Sequence, residues 1–341
     1  MLTQTRIREI LPWAMLLSLN LTLLPLSAAI VVAPMQSPPT FTNWAAWQAY
    51  MAKLPTPQTG CFVANYPVAA WQGTQCATAP SETMSVGNGN DWVAKGPSGN
   101  LIGQTIGFLT TAGLTSESDS RKGAHYYSLQ INSNSGFAVT YHGKSTKGWE
   151  QFLFDANGSS GSCGTTACGL VYIEYWLLGY YAAYGSCPPA SQDPPGGGFG
   201  WAKSGSNCYF NTDGALTPFE AATNLSNIGF SGFAGSAAST DGDMMCSEGV
   251  ACYTLTITDT VLNLYKHWTQ SEFNVFGYCC RSQANFNSGT TIDVQTILEK
   301  ASGASFGTAV CVKGGFTAET NNLSLGSCST GKTYIAFPES N

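Results

Sequence analysis

The sequence predicts an all-β protein, built as a two-sheet antiparallel β-sandwich whose loops are held by disulfides. Three observations support this prediction. Short segments of alternating apolar and polar residues follow one another along most of the chain, separated by turns rich in Gly, Asn and Ser. Strands do not alternate with long helices, which argues against an α/β fold. The 341 residues, 38 of them glycine, are enough to bury one large core.

The N-terminal segment, residues 1–33, is predicted to be a signal peptide. Arg6 and Arg8 precede a mostly apolar run from Leu11 to Leu26, and small residues suited to cleavage follow, ending at Ala33. The apolar run is short and interrupted for a membrane-spanning helix. We therefore expect a secreted protein, extracellular or periplasmic, with no membrane association after cleavage.

The segment after the signal peptide, residues 34–58, is predicted to be a linker or a short propeptide. Asn43 is a candidate N-cap for a short helix over Thr42–Lys53, and the prolines that follow end this helix. Residues 59–341 are predicted to form a single β-sandwich domain.

Within this domain, four segments carry more specific predictions. Alternation over residues 251–267 predicts a strand or a β-hairpin, whereas residues 294–301 are predicted to form a short helix. The turn-rich segments 155–168 and 185–215 are predicted to be loops stapled by disulfides.

Twelve cysteines, all after the predicted signal peptide, indicate an exported protein with disulfide bonds. Pairing of neighbours along the chain closes local loops and predicts the pairs Cys61–Cys76, Cys163–Cys168, Cys187–Cys208, Cys246–Cys252 and Cys311–Cys328. Cys279 and Cys280 are adjacent, so they either bond to each other or pair elsewhere. The chain has no CxxC motif and only three histidines, which argues against a structural zinc site.

Charge and motif content exclude several classes of function. Only 10% of the residues are charged, well below the ~25% of an average domain, and the net charge is −6. No basic patch is present, so nucleic acid is not an expected partner. No Gly-rich phosphate loop follows a strand, and we expect no cofactor. Asp241, Asp243 and Glu248 offer oxygen ligands for calcium, but a solvated acidic loop is the preferred interpretation, and no metal site is expected.

Two predicted strands, far apart in sequence, have matching polar faces. In the first, Gln130 and Asn132 lie opposite the apolar face of the strand. In the second, Glu272 and Asn274 lie opposite the apolar face of their strand. If both strands belong to one sheet, an amide and a carboxylate share its solvent face, as water-activating hydrolysis requires.

These strands resemble segments of a known peptidase family. Ser271-Glu272-Phe273-Asn274-Val275-Phe276, followed by Gln283-Ala284-Asn285-Phe286-Asn287, is similar to the Ala-Glu-Trp-Ile-Val-Glu strand of the fungal-type glutamic peptidases (eqolisins) and the Ala-Asp-Phe-Gly strand after it. Ser128-Leu129-Gln130-Ile131 resembles the family's Leu-Gln-Thr-Gly strand. Leu170–Trp176 resembles its Tyr-Asp-Ala-Trp-Tyr-Glu-Trp strand, and the three segments follow the same order. The resemblance covers about 25 residues at ordinary strand lengths.

The resemblance implies a concanavalin-like, or jelly-roll-like, sandwich in which Gln130 and Glu272 are the catalytic pair on a concave face. A carboxylate on such a partly desolvated face has a raised pKa and can hold a water molecule. Glu272 acts in this scheme as general base and then general acid, while the Gln130 amide stabilises the oxyanion. The alternative is that both are ordinary polar residues on the exposed face of an antiparallel sheet.

The third of these strands supplies further candidate residues. Tyr172, Glu174 and Trp176 share one face of it, and we expect them to line a substrate-binding cleft together with Asn132 and Asn274. An acid between two aromatic side chains is costly in a dry core, which favours a cleft over a strand packed beneath a loop.

The expected function is that of a secreted, acid-acting endopeptidase, a hydrolase that acts as a monomer on polypeptide substrates. One alternative is a non-enzymatic module that binds glycan through Tyr172 and Trp176. A second is a glycosidase in which Glu174 and Glu272 form the carboxylate pair. The peptidase requires Gln130 and Glu272 within reach of one water molecule, the glycan binder requires exposed aromatic side chains, and the glycosidase requires two glutamates facing across a groove.

Overall fold

Two large antiparallel sheets, packed face to face, contain most of the strands, which confirms the predicted β-sandwich. The computed structural model describes residues 37–78, 80–85, 87, 89–158, 167–235, 240–300 and 306–341. The predicted signal peptide and Cys163 lie outside these ranges. None of the helices in the described ranges is long and apolar enough to traverse a lipid bilayer.

Strands and helices are numbered in chain order. The described strands up to residue 178 are β1 (Gly60–Asn65), β2 (Gln72–Thr74), β3 (Trp92–Lys95), β4 (Gln104–Ala112), β5 (Glu117–Asp119), β6 (Gly123–Ala124), β7 (Tyr127–Ser133), β8 (Phe137–Tyr141), β9 (Lys144–Asp155) and β10 (Cys168–Leu178). The later ones are β11 (Ala202–Ser204), β12 (Asn207–Asn211), β13 (Ala215–Pro218), β14 (Ile228–Gly235), β15 (Thr240–Ser247), β16 (Ala251–Thr258), β17 (Gln270–Gly277), β18 (Gln283–Phe286), β19 (Thr291–Glu299), β20 (Val310–Lys313), β21 (Thr320–Asn321), β22 (Ser324–Leu325), β23 (Ser329–Thr330) and β24 (Tyr334–Ser340). The described helices are α1 (Trp44–Met51) and α2 (Tyr180–Tyr184), with 3₁₀ turns at Ala190–Gln192, Ala222–Asn227 and Leu264–Lys266.

Distant parts of the chain become neighbours in both large sheets. Ten of the described strands form the first sheet, in the order β2-β1-β16-β15-β14-β4-β19-β24-β22, with β23 paired to β24. Ten others form the second sheet, in the order β11-β12-β10-β9-β7-β17-β3-β20, with β13 and β8 paired to β10 and β9. Four short strands form a third sheet, β21-β18-β5-β6, whose β18–β21 pair is parallel. The second sheet therefore brings β7 and β17, more than 130 residues apart, side by side.

The core fills the space between the inner faces of the two large sheets. Phe230 of the first sheet lies near Phe273 of the second, with ring centroids 6.5 Å apart. Gly232 allows a close approach between the sheets, because a Cβ there would overlap the ring of Phe152. Burial of each such side chain contributes about 1.5–3 kcal/mol to folding, so this core accounts for much of the driving force.

Helix α1 begins where the sequence predicts it. Asn43 caps it, accepting a hydrogen bond from the Ala46 amide at 2.9 Å. Trp47 and Met51 are buried in a cluster against the outer face of the first sheet, where Met244 contributes. The segment predicted as a linker is thus packed on the sandwich and belongs to the same compact unit, Pro38–Asn341.

The described disulfides follow the predicted pairing of neighbours. Cys61–Cys76, Cys187–Cys208, Cys246–Cys252 and Cys311–Cys328 are all bonded, and Cys279 bonds to the adjacent Cys280. The predicted Cys163–Cys168 pair includes a residue outside the described ranges. Each of these bonds closes a loop of fewer than 25 residues, so they restrain connections between strands rather than joining distant parts of the chain.

Three sequence predictions of local structure are wrong. Residues 294–299 are not a helix but belong to strand β19, in which buried residues alternate with partly exposed ones, and residue 301 of the predicted helix lies outside the described ranges. The 251–267 segment is not a hairpin: strand β16 is followed by a loop and the 3₁₀ turn at Leu264–Lys266. The 185–215 segment contains strands as well as loop. In the first and third cases strand pairing within the sheet outweighs weak local preference.

Candidate active site

Gln130 and Glu272 lie on adjacent antiparallel strands of the second sheet. Strand β7 pairs with β17 so that Gln130 is opposite Asn274 and Asn132 is opposite Glu272. All four side chains are on the same face of the sheet, because residues two apart in a strand share a face. Gln130 and Glu272 are therefore diagonal neighbours, a separation that long side chains can bridge.

A row of polar residues crosses five neighbouring strands on this face, which is turned away from the core between the sheets. Pairing places Asn211 opposite Glu174, Glu174 opposite Gln151, Gln151 opposite Asn132, and Asn132 opposite Glu272. We call these five residues the polar row. All five are buried. A buried polar group without a hydrogen bond costs free energy, so the row requires internal partners.

Hydrogen bonds connect most of the polar row. Asn132 Nδ2 donates to Glu272 Oε2 at 2.9 Å, and Gln151 Nε2 donates to Asn132 Oδ1 at 2.8 Å. Trp176 Nε1 lies within donor distance of both Gln151 Oε1, at 2.8 Å, and Glu174 Oε1, at 2.6 Å. Each amide has its orientation set by its neighbours, so the Glu272 carboxylate is held by a pre-organised network.

Gln130 lies beside the polar row and joins it through its carbonyl oxygen. Gln130 Oε1 accepts from Gln151 Nε2 at 3.3 Å and from Asn132 Nδ2 at 3.4 Å. Its Nε2 donates to Ser128 Oγ at 2.9 Å and contacts Met84 Sδ at 3.3 Å. A thioether is a weak acceptor, so the Gln130 N–H that points toward Met84 is the one available to bind a stronger acceptor.

Two irregular segments, 80–85 and 314–319, cover this face; we call them the covering segments. Asn211 Nδ2 donates to the backbone oxygens of Pro80, at 2.9 Å, and Glu82, at 2.7 Å, which ties the first segment to the sheet. In the second segment, the Phe316 amide donates to Glu272 Oε2 at 2.8 Å, and the Thr317 amide lies 3.3 Å from the same oxygen. The Glu272 carboxylate is thus capped by main-chain N–H groups.

The predicted open cleft is wrong for this state of the protein. Tyr172, Glu174, Trp176, Gln130 and Glu272 do share one face, but each is at most 1% exposed. The period of a strand identifies the side chains that share a face and carries no information about what covers that face. Here the cover consists of segments that are distant in sequence and have no regular pattern.

A second carboxylate, Glu319, enters the site from a covering segment. Glu319 Oε1 accepts from the Arg281 amide at 2.7 Å, and both Glu319 oxygens lie near the Ser85 amide. The Thr317 hydroxyl donates to Glu319, while the Thr317 amide faces Glu272. Thr317 therefore links the two carboxylates, and the Ser85 contact links the two covering segments.

Sequence reasoning missed three residues of this site: Gln151, Asn211 and Glu319. The sequence carries a signal for Gln151, because alternation along β9 places it on the face opposite to the apolar Phe152 and Phe154. Asn211 lies in a segment that we predicted to be loop. Glu319 lies in an irregular segment near the C-terminus, where no periodicity applies.

Burial is the main cause of the altered acidity of Glu272. Desolvation raises the pKa of this carboxyl to about 7, and the charge of Glu319 adds to the rise. Hydrogen bonds from the Phe316 amide and the Asn132 side chain oppose it. Glu272 Oε1 has no hydrogen-bond donor among the described residues, whereas Oε2 has three. Oε1 is therefore the oxygen available to a water molecule.

Glu174 is in a similar position at the other end of the polar row. Burial raises its pKa well above the ordinary value, against hydrogen bonds from Trp176, from Thr83 and from the Met84 main chain. The site therefore contains two buried glutamates whose pKa values are both raised by burial.

Asn274, predicted to bind substrate, has its amide engaged by two acids. Its Nδ2 donates to Glu339 Oε1 at 2.7 Å and to Asp91 Oδ2 at 3.0 Å. Burial raises the pKa of Glu339 to about 7 and that of Asp91 well above its ordinary value. The charge of Glu272 also raises the pKa of Asp91, which couples these acids electrostatically to the candidate pair.

A cavity of about 420 Å³ lies elsewhere, on the first sheet beside α1. Met51, Trp71, Phe233 and Glu299 line it. It contains none of the residues predicted from the sequence to bind substrate.

No protein-family model, curated protein or solved structure matches this chain. The relation to glutamic peptidases therefore stays a prediction from three strand motifs. What can be argued about function comes from the geometry of the polar row, the diagonal Gln130–Glu272 pair and the covering segments.

Proposed function

We propose that this protein is an acid-acting endopeptidase in which Glu272 activates a water molecule and Gln130 stabilises the oxyanion. One observation carries the proposal: Gln130 Oε1 and Glu272 Oε2 both lie within 3.4 Å of the same atom, Asn132 Nδ2. The two side chains are thus held close to each other on adjacent strands. A water molecule and a peptide carbonyl placed over the pair would contact both.

Each group has the chemistry that its role needs. Glu272 Oε1 is free to hold a water molecule, take its proton and pass that proton to the leaving amine. Gln130 Nε2 carries an N–H whose present acceptor is a thioether, and a developing oxyanion is a far better acceptor. Asn132 and Gln151 fix both side chains without taking part in proton transfer.

Substrate access requires the covering segments to move, because both members of the pair are fully buried. The contacts that hold these segments include hydrogen bonds to carboxylates. The Phe316 amide donates to Glu272, and the Ser85 and Arg281 amides donate to Glu319. Protonation of these acids removes charge from the acceptors and weakens such bonds. Burial nevertheless raises the pKa of Glu272 and of Glu319, so protonation on balance favours the covered form. A substrate must therefore displace these contacts itself, and the low-pH optimum is expected from the strand motifs.

Neither alternative function gains support from the described residues. Trp176 and Tyr172 are buried, and Trp176 Nε1 is bonded within the network, so they offer no exposed platform for a sugar. Glu174 and Glu272 lie three strand spacings apart, about 14 Å between backbones. Carboxyl pairs in glycosidases are separated by roughly 5–9.5 Å. Gln151 and Asn132 stand between the two glutamates.

We further propose that the chain is exported. The five disulfides among the described residues fit an oxidising compartment, since such bonds are rare in the cytosol. The basic and apolar N-terminal residues predicted as a signal peptide give the same indication.

The test is cleavage of a denatured protein substrate between pH 2 and 7, after preincubation in acid. We expect acid-optimal cleavage by the wild type and a loss of kcat/KM of at least about 100-fold in Glu272→Gln and in Gln130→Ala. Matched controls at exposed positions, Glu248→Gln and Gln75→Ala, should cleave like the wild type.

Near-ultraviolet circular dichroism of each variant checks that the fold is retained. Cleavage that survives both changes in folded protein would contradict the proposal. So would the absence of cleavage by the wild type at every pH, including after limited proteolysis of the covering segments.

A further inference from the structure

Four carboxylates lie together in the core between the two large sheets, away from the candidate active site. Glu150 projects from β9 of the second sheet, Asp241 and Asp243 project from β15 of the first, and Asp259 follows β16. Each is at most 2% exposed. The sequence expectation of a solvated loop at Asp241 and Asp243 is therefore wrong, because both lie in a buried strand.

Three of these acids converge on one point. Carboxylate oxygens of Glu150, Asp241 and Asp259 all lie within 4.8 Å of one another. Outside the cluster, both oxygens of Glu150 and Oδ1 of Asp241 have no hydrogen-bond donor in the described part of the chain; within it, a protonated carboxyl could donate to its neighbour. The Glu150 side chain is thus fully buried and directed at two other acids.

Asp259 is held rigidly by the main chain. Its Oδ1 accepts from the amides of Val261 and Leu262, and its Oδ2 accepts from the amide of Leu264, all at 2.8 Å. A carboxylate oxygen has further lone pairs, so these bonds leave it able to bind a ligand. Asp243 Oδ2 accepts from the Leu153 amide at 2.7 Å, and its Oδ1 has no donor among the described residues.

No positive side chain compensates this charge within the described ranges, where the ion pairs are Lys53–Glu299 and Lys122–Glu82. Burial raises the pKa of Glu150 and of Asp241, and repulsion between the acids adds to it. Unpaired buried charges are strongly destabilising. The cluster must therefore bind a cation or hold protons at neutral pH.

We propose that Glu150, Asp241 and Asp259 bind one calcium ion that links the two sheets of the sandwich. The donor set is entirely oxygen, which suits a hard cation. The limit of 4.8 Å between ligand atoms is about twice a calcium–oxygen distance of ~2.4 Å. Magnesium retains several waters, for which a dry core is a poor environment.

The experiment uses the full secreted chain. When the protein is purified without chelator, inductively coupled plasma mass spectrometry should detect about one equivalent of calcium. Treatment with EDTA should lower Tm, and calcium at about 100 times Kd should restore it by roughly 5–10 °C, whereas magnesium should restore much less. Terbium ion should also bind and luminesce on excitation of Tyr175, whose hydroxyl is 3.5 Å from Asp241.

Asp241→Asn and Glu150→Gln keep the side-chain shape and should abolish the calcium-dependent rise in Tm and the terbium signal. The control is Asp91→Asn, another buried aspartate bonded to Asn274 outside this cluster, which should respond to calcium like the wild type. If neither cluster variant folds, the wild-type calcium content and terbium signal decide. The proposal would be overturned if the wild type contained no metal and its Tm changed with neither calcium nor EDTA. It would also be overturned if the calcium response persisted in both variants.

Discussion

Glu272 has two oxygens with different surroundings. Oε2 receives three hydrogen bonds, from a side chain and two backbone amides, whereas Oε1 receives none among the described residues. With its pKa raised to about 7, the group is largely protonated in acid and about half ionised at neutral pH. A general base must be ionised, so catalysis in acid requires the pKa of Glu272 to fall when the covering segments open and water reaches the carboxyl.

Single residues also determine how closely the two sheets approach, and Gly232 offers a test. A Cβ at this position would overlap the ring of Phe152, whose movement is limited by the packed core. We expect Gly232→Ala to lower the free energy of unfolding by about 1–3 kcal/mol, through overpacking. Urea denaturation monitored by tryptophan fluorescence measures this change.

The control for this substitution is Gly73→Ala. Gly73 also lies in a strand, but the atom nearest to its added Cβ would be 3.9 Å away, on Phe62. We expect a change of no more than about 0.5 kcal/mol, typical of surface positions. Equal effects of the two substitutions would show that the inter-sheet contact at Gly232 is not tightly packed.

At the scale of elements, the covering segments decide whether the site is accessible. They have no regular secondary structure, and hydrogen bonds to the sheet and to each other hold them in place. Asn211 holds segment 80–85 through two backbone oxygens, and Glu319 binds the Ser85 amide from segment 314–319. Segments held by a few polar contacts open at a lower free energy than the sheets beneath them.

We expect Asn211→Ala to loosen the first covering segment while the sandwich stays folded. Loss of two hydrogen bonds that end on main-chain oxygens should raise the opening equilibrium about tenfold, which corresponds to about 1.4 kcal/mol. Hydrogen–deuterium exchange of the Ser85 amide, resolved by mass spectrometry, reports this change.

A matched control is Asn285→Ala. The Asn285 amide likewise donates to two backbone oxygens, those of Ser118 and Gln283, but in the third sheet. Its removal should leave exchange at Ser85 unchanged. If Asn211→Ala leaves exchange at Ser85 unchanged as well, Asn211 does not control the cover.

At the scale of the whole molecule, the main electrostatic feature is the number of buried acids. Ten buried carboxyl groups among the described residues have raised pKa values: Asp91, Glu117, Glu150, Asp155, Glu174, Asp241, Asp243, Glu272, Glu319 and Glu339. In each case burial is the largest cause. The chain has only 14 lysines and arginines to offset such charges.

This feature predicts a protein that is more stable in acid than at neutral pH. Between pH 4.5 and about 7 the folded chain holds protons on Glu272 and Glu339 that the unfolded chain releases, so stability falls as the pH rises. His267, with a lowered pKa, opposes this trend, but it is one half-buried group. We expect the free energy of unfolding, measured in EDTA to remove any contribution from bound cation, to be at least about 3 kcal/mol higher at pH 4.5 than at pH 7.5.

Urea denaturation at both pH values measures this difference. Glu272→Gln removes one titrating group and should reduce the difference, whereas the exposed Glu248→Gln should leave it unchanged. Greater stability at pH 7.5 than at pH 4.5 would contradict the prediction. It would mean that the buried carboxyls are ionised in the folded state and stabilised by other contacts.

The fold class and much of the site could be predicted from sequence because they depend on local pattern. Alternation with period two placed Gln130, Asn132, Glu272 and Asn274 on common faces of their strands, independently of what the strands contact. Loop closure between neighbouring cysteines similarly predicted four of the five described disulfides and left the pairing of Cys279 and Cys280 open. Reasoning from side-chain periodicity failed for β19, which pairs with a strand on each side but was predicted to be partly helical.

Only the tertiary structure decided which faces are buried and what meets there. The covering segments reach the polar row from residues 80–85 and 314–319, and Glu150 meets Asp241 across two sheets. Such contacts join positions far apart in the chain, and no periodicity links them. Burial then determines the chemistry, because water withdrawn from a carboxyl raises its pKa, and sequence alone does not reveal where water is excluded.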